Sequence, residues 1–278
     1  MKITEVKEIL SLLKTKPRQS LGQNFLIDNN ILDLIVRSSE IKSQDLILEI
    51  GPGLGALTSR LALKVPQGEV IGIEKDKILS NFLISNIKAT NVSILNQDAT
   101  KTDYKKIVKN HQWKFIANLP YAITGFIFRQ ILALPNPPQV FVVLIQKEVA
   151  ERIIGNKTHK NNLLHLMVHL SAENIKLIRK IKPQSFFPSP KVESAIIKLR
   201  PLSTEEQKNK WGTEVHVVMK IAKQGFSHPR KLLQRNLKID NQKWEQIVKE
   251  LKIDSKARAE DLNTVQWADL TRILLKKP

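Results

Sequence analysis

Asn118-Leu119-Pro120-Tyr121 places an amide, a proline and an aromatic ring directly after an apolar run, Trp113 to Ala117. The run reads as a buried strand. Proline fixes its own φ and lacks a backbone donor, so strand pairing stops there and the chain turns. The Asn118 amide and nearby backbone carbonyls are then left at a strand end, with the Tyr121 ring able to lie beside them. A corner of this kind can hold a planar base, with acceptors taking the hydrogens of an exocyclic amine and the ring covering one face. The same four residues also make an ordinary turn with a half-buried tyrosine, so the other segments decide their weight.

Three strands must deliver their ends to the same place. Leu46 to Ile50 reads as a buried parallel strand. Gly51-Pro52-Gly53-Leu54-Gly55 follows, then a helical stretch from Ala56 to Leu63. Strand, glycine turn and helix let a ligand approach the backbone closely. The pattern is Glu49-x-Gly-x-Gly-x-Gly rather than the dinucleotide Gly-x-Gly-x-x-Gly, with Pro52 inside the turn. Residues 69–73 form the next strand and Glu74 ends it. An acid there suits two ribose hydroxyls; a solvated strand-end glutamate is the alternative. Val92 to Leu95 is a third strand, and Asp98 beyond its end can accept from an adenine amine. Polar residues thus stand at the C-terminal ends of successive strands, the edge where open α/β sheets bind ligands.

The flanking elements are less specific. Residues 4–14 have helical spacing, with Val6, Ile9, Leu10 and Leu13 on one side, and Lys14, Lys16 and Arg18 make a basic arm after it. Leu21-Gly22-Gln23-Asn24-Phe25-Leu26 reads as a loop packed down by its apolar residues, with amides able to meet a ligand's polar end; a capped helix start at Asp28 explains much of it too. Asp76 opens a helix to about Ala89, and Thr124 to Leu134 is another. Val140 to Ile145 is a strand, and Gln146-Lys147-Glu148 opens a helix. Residues 155–162 form a polar basic loop. His159, His165 and His169 lack a metal-site pattern, so surface or core histidines are expected and no metal. Phe186-Phe187-Pro188-Ser189-Pro190-Lys191 is a rigid loop in which one aromatic can form a second wall for a base and Lys191 can meet a phosphate; a merely packed loop fits as well. Val192 to Leu199 is a final strand. Residues 201–210 read as a linker, and Glu214 to Phe226, Asn241 to Leu251 and Thr264 to Leu275 as helices. Pro229, Arg230, Lys231 and Arg235 stand at a helix start, as phosphate contacts or as a solvated face.

Bulk properties narrow the class. The chain of 278 residues has room for one large domain and a small one, divided as 1–200 and 201–278. It holds no cysteine, which excludes disulfides and thiol nucleophiles and suits a reducing compartment. Glu5, Lys7 and Glu8 stand where a signal peptide is apolar, and no run approaches the ~20 residues of a membrane span. A cytoplasmic protein without membrane contact is expected. The net charge is +19 and is unevenly placed: residues 1–100 are close to neutral, whereas residues 101–200 hold 17 basic against 5 acidic side chains. A neutral half followed by a basic half suits a small-molecule site beside a polyanion.

Taken together, LGQNFL, EIGPGLG, IEKD, NQDA, NLPY, LIQKEVAERI, FFPSPKVES and RAEDL run in this order from about residue 17 to 270. The set resembles the KsgA-type small-subunit rRNA adenine dimethyltransferases. Erm-type rRNA methyltransferases share the architecture but usually read differently around the Gly and Pro-Tyr motifs. The resemblance implies a class I methyltransferase fold: a Rossmann-like α/β domain with a seven-stranded, mostly parallel sheet, its last strand antiparallel, and a small C-terminal helical, RNA-binding domain. It implies S-adenosylmethionine as cofactor, held by Asn24, Leu26, Gly51, Gly53, Glu74, Asp98 and Asn118, with Glu74 on the ribose hydroxyls and Asp98 on the adenine amine. The target implied is a pair of adjacent adenosines in a hairpin near the 3′ end of small-subunit rRNA, each dimethylated at N6, in a monomeric enzyme acting on the small ribosomal subunit or its precursor. Asn118, Leu119, Pro120 and Tyr121, with Phe186 as the opposing ring, carry the catalytic roles: Asn118 and the Leu119 carbonyl hold the amine, and Tyr121 and Phe186 stack on the base.

Two places depart from the family pattern. Asn161-Asn162 replaces a usual Tyr-Gly, with Leu163 in place of a common Arg, and Gln19 stands where a basic residue is frequent. Neither touches the cofactor set. An Erm-type enzyme acting on the large subunit, or an RNA-binding assembly or transcription factor that kept the fold and lost catalysis, are the competing readings.

Overall fold

The computed structural model describes residues 1–155 and 161–276. In chain order they form α1 (Ile3–Leu12), β1 (Phe25–Leu26), α2 (Asn29–Ser38), β2 (Leu46–Ile50), α3 (Ala56–Lys64), β3 (Glu69–Glu74), α4 (Lys77–Asn86), β4 (Val92–Asn96), α5 (Tyr104–Val108) and β5 (Trp113–Asn118). There follow α6 (Thr124–Leu132), β6 (Val140–Gln146), α7 (Lys147–Ile154), α8 (Leu163–Ser171), β7 (Ala172–Ile181), β8 (Phe186–Phe187) and β9 (Ser194–Pro201). The remainder is helical: α9 (Thr204–Trp211), α10 (Val215–Gly225), α11 (Leu233–Leu237), α12 (Asn241–Leu251) and α13 (Thr264–Leu275). None of these helices is long and apolar enough to cross a membrane.

Two compact units emerge, one of residues 1–150 and 174–201, the other of 151–173 and 202–278. The first holds a seven-stranded sheet in the order β4-β3-β2-β5-β6-β9-β7. Neighbours from β4 to β6 are parallel, and β9 runs antiparallel to β6. The central strands are buried because both faces are covered: Val140–Ile145 is an unbroken apolar run, and Trp113–Ala117 is buried without a break, with Lys114 its one polar residue. One covering layer is α2 and α3, whose Ile31, Leu32, Ile35, Leu57 and Leu61 join Ile47, Val70, Ile116 and Val142 in one apolar cluster. The α2 stripe is fixed at its start by Asp28, whose carboxylate accepts from the Asn30 and Ile31 amides. At the N-terminal end of β5 the buried Lys114 ammonium pairs with Asp45 at 2.8 Å and donates to the Glu40 carbonyl. The one charge inside that strand is thereby satisfied at the sheet end opposite the site. β7 was not expected from the sequence: its residues alternate irregularly and only its two ends are buried, as befits an edge strand.

The second unit packs α8 and α10–α13 around Val218, Leu233, Trp244, Ile247, Trp267 and Leu270. Its helices start on side-chain caps: Asn162 for α8, Asp240 for α12 and Asn263 with Gln266 for α13. The second unit thus begins beside the division expected at residue 200 but also takes in residues 151–173, because Leu166 and Leu170 of α8 bury into this cluster. The linker expected at 201–210 is also a helix, α9. Ser203 and Glu206 form a reciprocal capping box, and Trp211 at its end donates to the Leu170 carbonyl, so a polar composition concealed an anchored helix. Arg230 and Lys231 precede α11 rather than opening it, and only Arg235 lies within it.

Candidate active site

A cavity opens at the C-terminal ends of β2, β3 and β5, lined by Ile50 to Leu54, Glu74, Gln97 to Ala99 and Asn118 to Ile123, with Ser20 to Leu26 across it. The glycine turn after β2 is built from left-handed residues, Gly51 at φ 70° and Gly53 at φ 61°, conformations that residues with a Cβ rarely hold. A Cβ on Gly53 would stand 3.1 Å from the Phe25 ring, and one on Gly51 would stand 3.4 Å from Pro120. The bare backbone is thus part of how the turn, the β1 segment and the proline close against one another.

Glu74 is 6% exposed. Its Oε2 accepts from the Gly53 amide at 3.0 Å and its Oε1 from the Asp76 amide at 2.8 Å. Burial pushes its pKa up, although both amides favour the charged form. Each carboxylate oxygen keeps a lone pair for a further donor. Asp98 is set differently. Thr100 donates to Oδ1 through its amide at 2.9 Å and its hydroxyl at 2.7 Å, and Lys75 sits 2.9 Å from Oδ2. These donors, Thr100 foremost, hold its pKa down to about 2, so it is an ionised acceptor at any working pH. Glu49 was noticed in the sequence only as a motif position. It lines the cavity, is 1% exposed, and its Oε2 has no hydrogen-bond partner. Burial pushes its carboxyl up to about 8, and the nearby Glu74 charge adds to the effect.

At the end of β5, Asn118 Nδ2 donates to the Asn24 carbonyl at 3.3 Å. A carbonyl can only accept, so this contact fixes which end of the amide is nitrogen. Oδ1 is left as an acceptor, and no donor among the described residues reaches it or the Leu119 carbonyl. The Leu119 amide continues the ladder to Leu144, after which Pro120 ends the pairing as expected. Tyr121 is half-buried, and its hydroxyl shares a 2.6 Å hydrogen bond with Ser194 Oγ at the start of β9. Burial raises its pKa, so it stays a neutral phenol near pH 7. Nothing in the local sequence singles out Ser194 beyond its place at the end of the FFPSPKVES run.

Asn24, Leu26, Gly51, Gly53, Glu74, Asp98, Asn118, Leu119, Pro120 and Tyr121 all line this one cavity. Phe186 does not. It is 2% exposed within the apolar cluster of the sheet domain, opposite Leu26 in the two-stranded β1–β8 ribbon. Alternation along a strand turns its neighbour the other way: Phe187 is partly exposed, packs beside Val6, Leu10 and Leu79, and has the Lys7 ammonium 5.8 Å from its ring centre. The opposing ring expected at Phe186 is thereby corrected to a core residue. Of the histidines, His159 lies outside the described residues. His165 and His169 stack at 4.0 Å and both donate to the Ile153 carbonyl, which gives them a structural task. Among the described residues no cluster of three metal-ligating side chains occurs. At the first of the two family departures, Asn162 caps α8 and Asn161 donates to the Leu262 carbonyl.

The sequence profile of the ribosomal RNA adenine dimethylase family matches residues 14–276. The ribosomal RNA small subunit methyltransferase A of Clostridium botulinum is 35% identical over 271 residues, spanning 95% of this chain and 96% of that protein. Its namesakes in Alkaliphilus oremlandii and a Picosynechococcus strain are each 34% identical, over 98% and 92% of this chain and 97% and 96% of theirs. Among solved structures, the 23S rRNA methyltransferase ErmE superposes with a TM-score of 0.71 at 23% identity, over 91% of this chain and 100% of that one. A dimethyladenosine transferase from Plasmodium falciparum gives 0.71 at 24%, over 90% and 96%. The two structures establish the class I methyltransferase fold. With a profile matching nearly end to end and relatives more than a third identical along the same length, the chain belongs to the ribosomal RNA adenine dimethylase family.

Proposed function

We propose that this protein uses S-adenosylmethionine to methylate N6 of two adjacent adenosines in a hairpin near the 3′ end of small-subunit rRNA, converting each to N6,N6-dimethyladenosine during small-subunit biogenesis. The observation that carries the reading is the Asn118 amide at the cavity, held by Asn24 so that Oδ1, like the neighbouring Leu119 carbonyl, is left without a protein donor among the described residues.

The cavity suits the cofactor. Glu49 Oε2 is a buried polar atom with no partner, open to a ligand's donor, and the Gly51–Gly53 backbone allows close approach. Glu74 retains lone pairs for vicinal hydroxyls, and Asp98 is ionised for an amine. Bound there, S-adenosylmethionine supplies an electrophilic methyl group on a sulfonium.

The residues do the rest by positioning. An adenine amine is a poor nucleophile because its lone pair is delocalised into the ring. Asn118 Oδ1 and the Leu119 carbonyl hold its two hydrogens and so direct the lone pair, and orientation of this kind supplies much of a rate enhancement. Neither Tyr121, a phenol tied to Ser194, nor Asp98, tied to Thr100 and Lys75, is poised as a base. None is needed before attack: as the N–C bond forms the S–C bond breaks to leave a neutral thioether, and the amine proton, acidic once the methyl bonds, passes to solvent. The monomethylated amine keeps one hydrogen, which either acceptor can hold for the second transfer. Flipping the base out of its stack costs a few kcal/mol, and stacking on Tyr121 offsets about 1–3 kcal/mol of it. The basic surplus downstream of residue 100 neutralises phosphates.

The test uses undermethylated small ribosomal subunits, labelled S-adenosylmethionine and purified protein, with Asn118→Ala alongside, followed by nucleoside analysis. Dimethyladenosine at two adjacent sites, lowered at least about a hundredfold in the variant, is the expected result. Transfer to large subunits instead would install the Erm-type reading, and tight binding without transfer to either would overturn the enzymatic one.

A further inference from the structure

Seven consecutive residues, Ser20 to Leu26, cross the cavity, and their only regular strand is the two-residue β1. What fixes this strap is a carboxylate that the proposed chemistry does not use. Asp76 is 3% exposed. Its Oδ2 accepts from Gln23 Nε2 at 2.9 Å and lies 3.5 Å from Arg18 Nε. Gln23 Oε1 in turn accepts from the Arg18 amide at 2.7 Å, so one side chain ties the strap to itself and to the sheet. Asp76 is connected on both sides to the site. Its amide donates to Glu74 Oε1, and the residue after Gln23 supplies the carbonyl that orients Asn118.

We propose that the Gln23–Asp76 hydrogen bond is a latch that couples the cofactor cavity to the orientation of the Asn118 amide, making Gln23 and Asp76 positioning residues for methyl transfer. Closing the latch sets the Asn24 carbonyl, that carbonyl turns Asn118, and the same closure lays Leu21 to Leu26 along the ligand. A ligand on Glu74 and a ligand held by Asn118 therefore sense one another through a chain of named bonds. The inference rests on the cavity being the cofactor site.

The geometry allows a substitution that breaks the latch, together with the Arg18 ion pair on the same oxygen, and spares the helix cap. Asp76→Asn keeps Oδ1 for the Ile78 amide, which it caps at 3.0 Å, but presents a donor to Gln23. Gln23→Ala removes the other partner from a strap that contributes nothing to the seven-stranded ladder. In the double variant Asp76→Asn/Gln23→Glu the bond re-forms with reversed polarity, and the introduced carboxylate still accepts from the Arg18 amide. Three quantities are read on the full chain: S-adenosylhomocysteine affinity by calorimetry, tryptic cleavage after Arg18 with and without that ligand, and kcat with the KM for RNA.

Each single variant is expected to bind the ligand about tenfold more weakly, to be cleaved after Arg18 faster and without protection by ligand, and to lose kcat with little change in the KM for RNA. The double variant is expected to recover to within about threefold of wild type. If the singles bind, resist cleavage and turn over as wild type does, or if the double stays as weak as Asp76→Asn, the latch is overturned. Should Asp76→Asn fail to fold, Gln23→Ala decides alone. Failure of the broader reading looks different, since the wild-type protein would then show no transfer at all.

Discussion

Glu49→Gln will flatten the pH dependence of stability. The Glu49 carboxyl sits at the end of β2 with Oε2 unpartnered, and burial pushes it up to about 8 from an ordinary 4.5. Its sign is that of a raised group. Below the ordinary value both folded and unfolded chains hold the proton and the full contribution is present. As pH rises, the unfolded chain ionises first while the folded one stays neutral, so stability falls until pH passes about 8, where both are charged. At about 1.4 kcal/mol per pH unit the whole effect is about 5 kcal/mol, of which about 4 kcal/mol is lost between roughly pH 5 and pH 9. Local relaxation around a buried charge reduces this, and half of it remains measurable. The glutamine side chain is nearly isosteric and carries no proton to lose. Urea unfolding by far-ultraviolet circular dichroism, at pH values from about 5 to 9 and without cofactor, gives the difference between wild type and variant. That difference should widen in favour of the variant by about 2–4 kcal/mol toward high pH. Curves that stay parallel within about 1 kcal/mol would refute the assignment of a neutral buried carboxyl.

Gly53→Ala would place a Cβ 3.1 Å from the Phe25 ring at φ 61°, so stability should fall by about 1–3 kcal/mol, and cofactor affinity by more than tenfold in calorimetry. Tyr121→Phe removes only the bond to Ser194 and should leave transfer within about fivefold, at the cost of a normal hydrogen bond. Tyr121→Ala also removes the ring and should cost about tenfold or more; equal rates for the two in a single-turnover assay would remove the ring from the proposal. Phe186→Ala should act through the core, lowering stability by about 3–5 kcal/mol, while any folded fraction keeps a normal KM for RNA.

Much was legible because it is local. The apolar runs LILEI and 140–145, the Gly51–Gly55 turn, and the three-and-four apolar spacing of Asn241–Leu251 and Thr264–Leu275 each depend on residues no more than a few positions apart. That Glu74, Asp98 and Asn118 line one cavity was legible because a parallel sheet brings its strand ends to one edge whatever the details of packing. The edge strand β7 and the helix α9 were missed for a shared reason: an element held by a few anchors, such as Trp211 on Leu170, carries little of the hydrophobic repeat that sequence reading relies on.

By itself, then, the amino-acid sequence determined the types of the strongly patterned elements, the glycine turn, the charge imbalance and the ordered motif set. Tertiary structure alone decided how those residues are used. Which of two adjacent phenylalanines faces the core depends on the register of a two-residue ribbon, and a shift by one would exchange them. The Asn118 amide is turned by a carbonyl 94 positions away, the strap is held across 53, and Tyr121 is tied to Ser194 across 73. The Glu49 carboxyl is pushed up only because the folded chain buries it. Local repeats and caps are written in neighbouring residues, whereas orientation, protonation and closure come from partners that only the folded chain brings within hydrogen-bond distance.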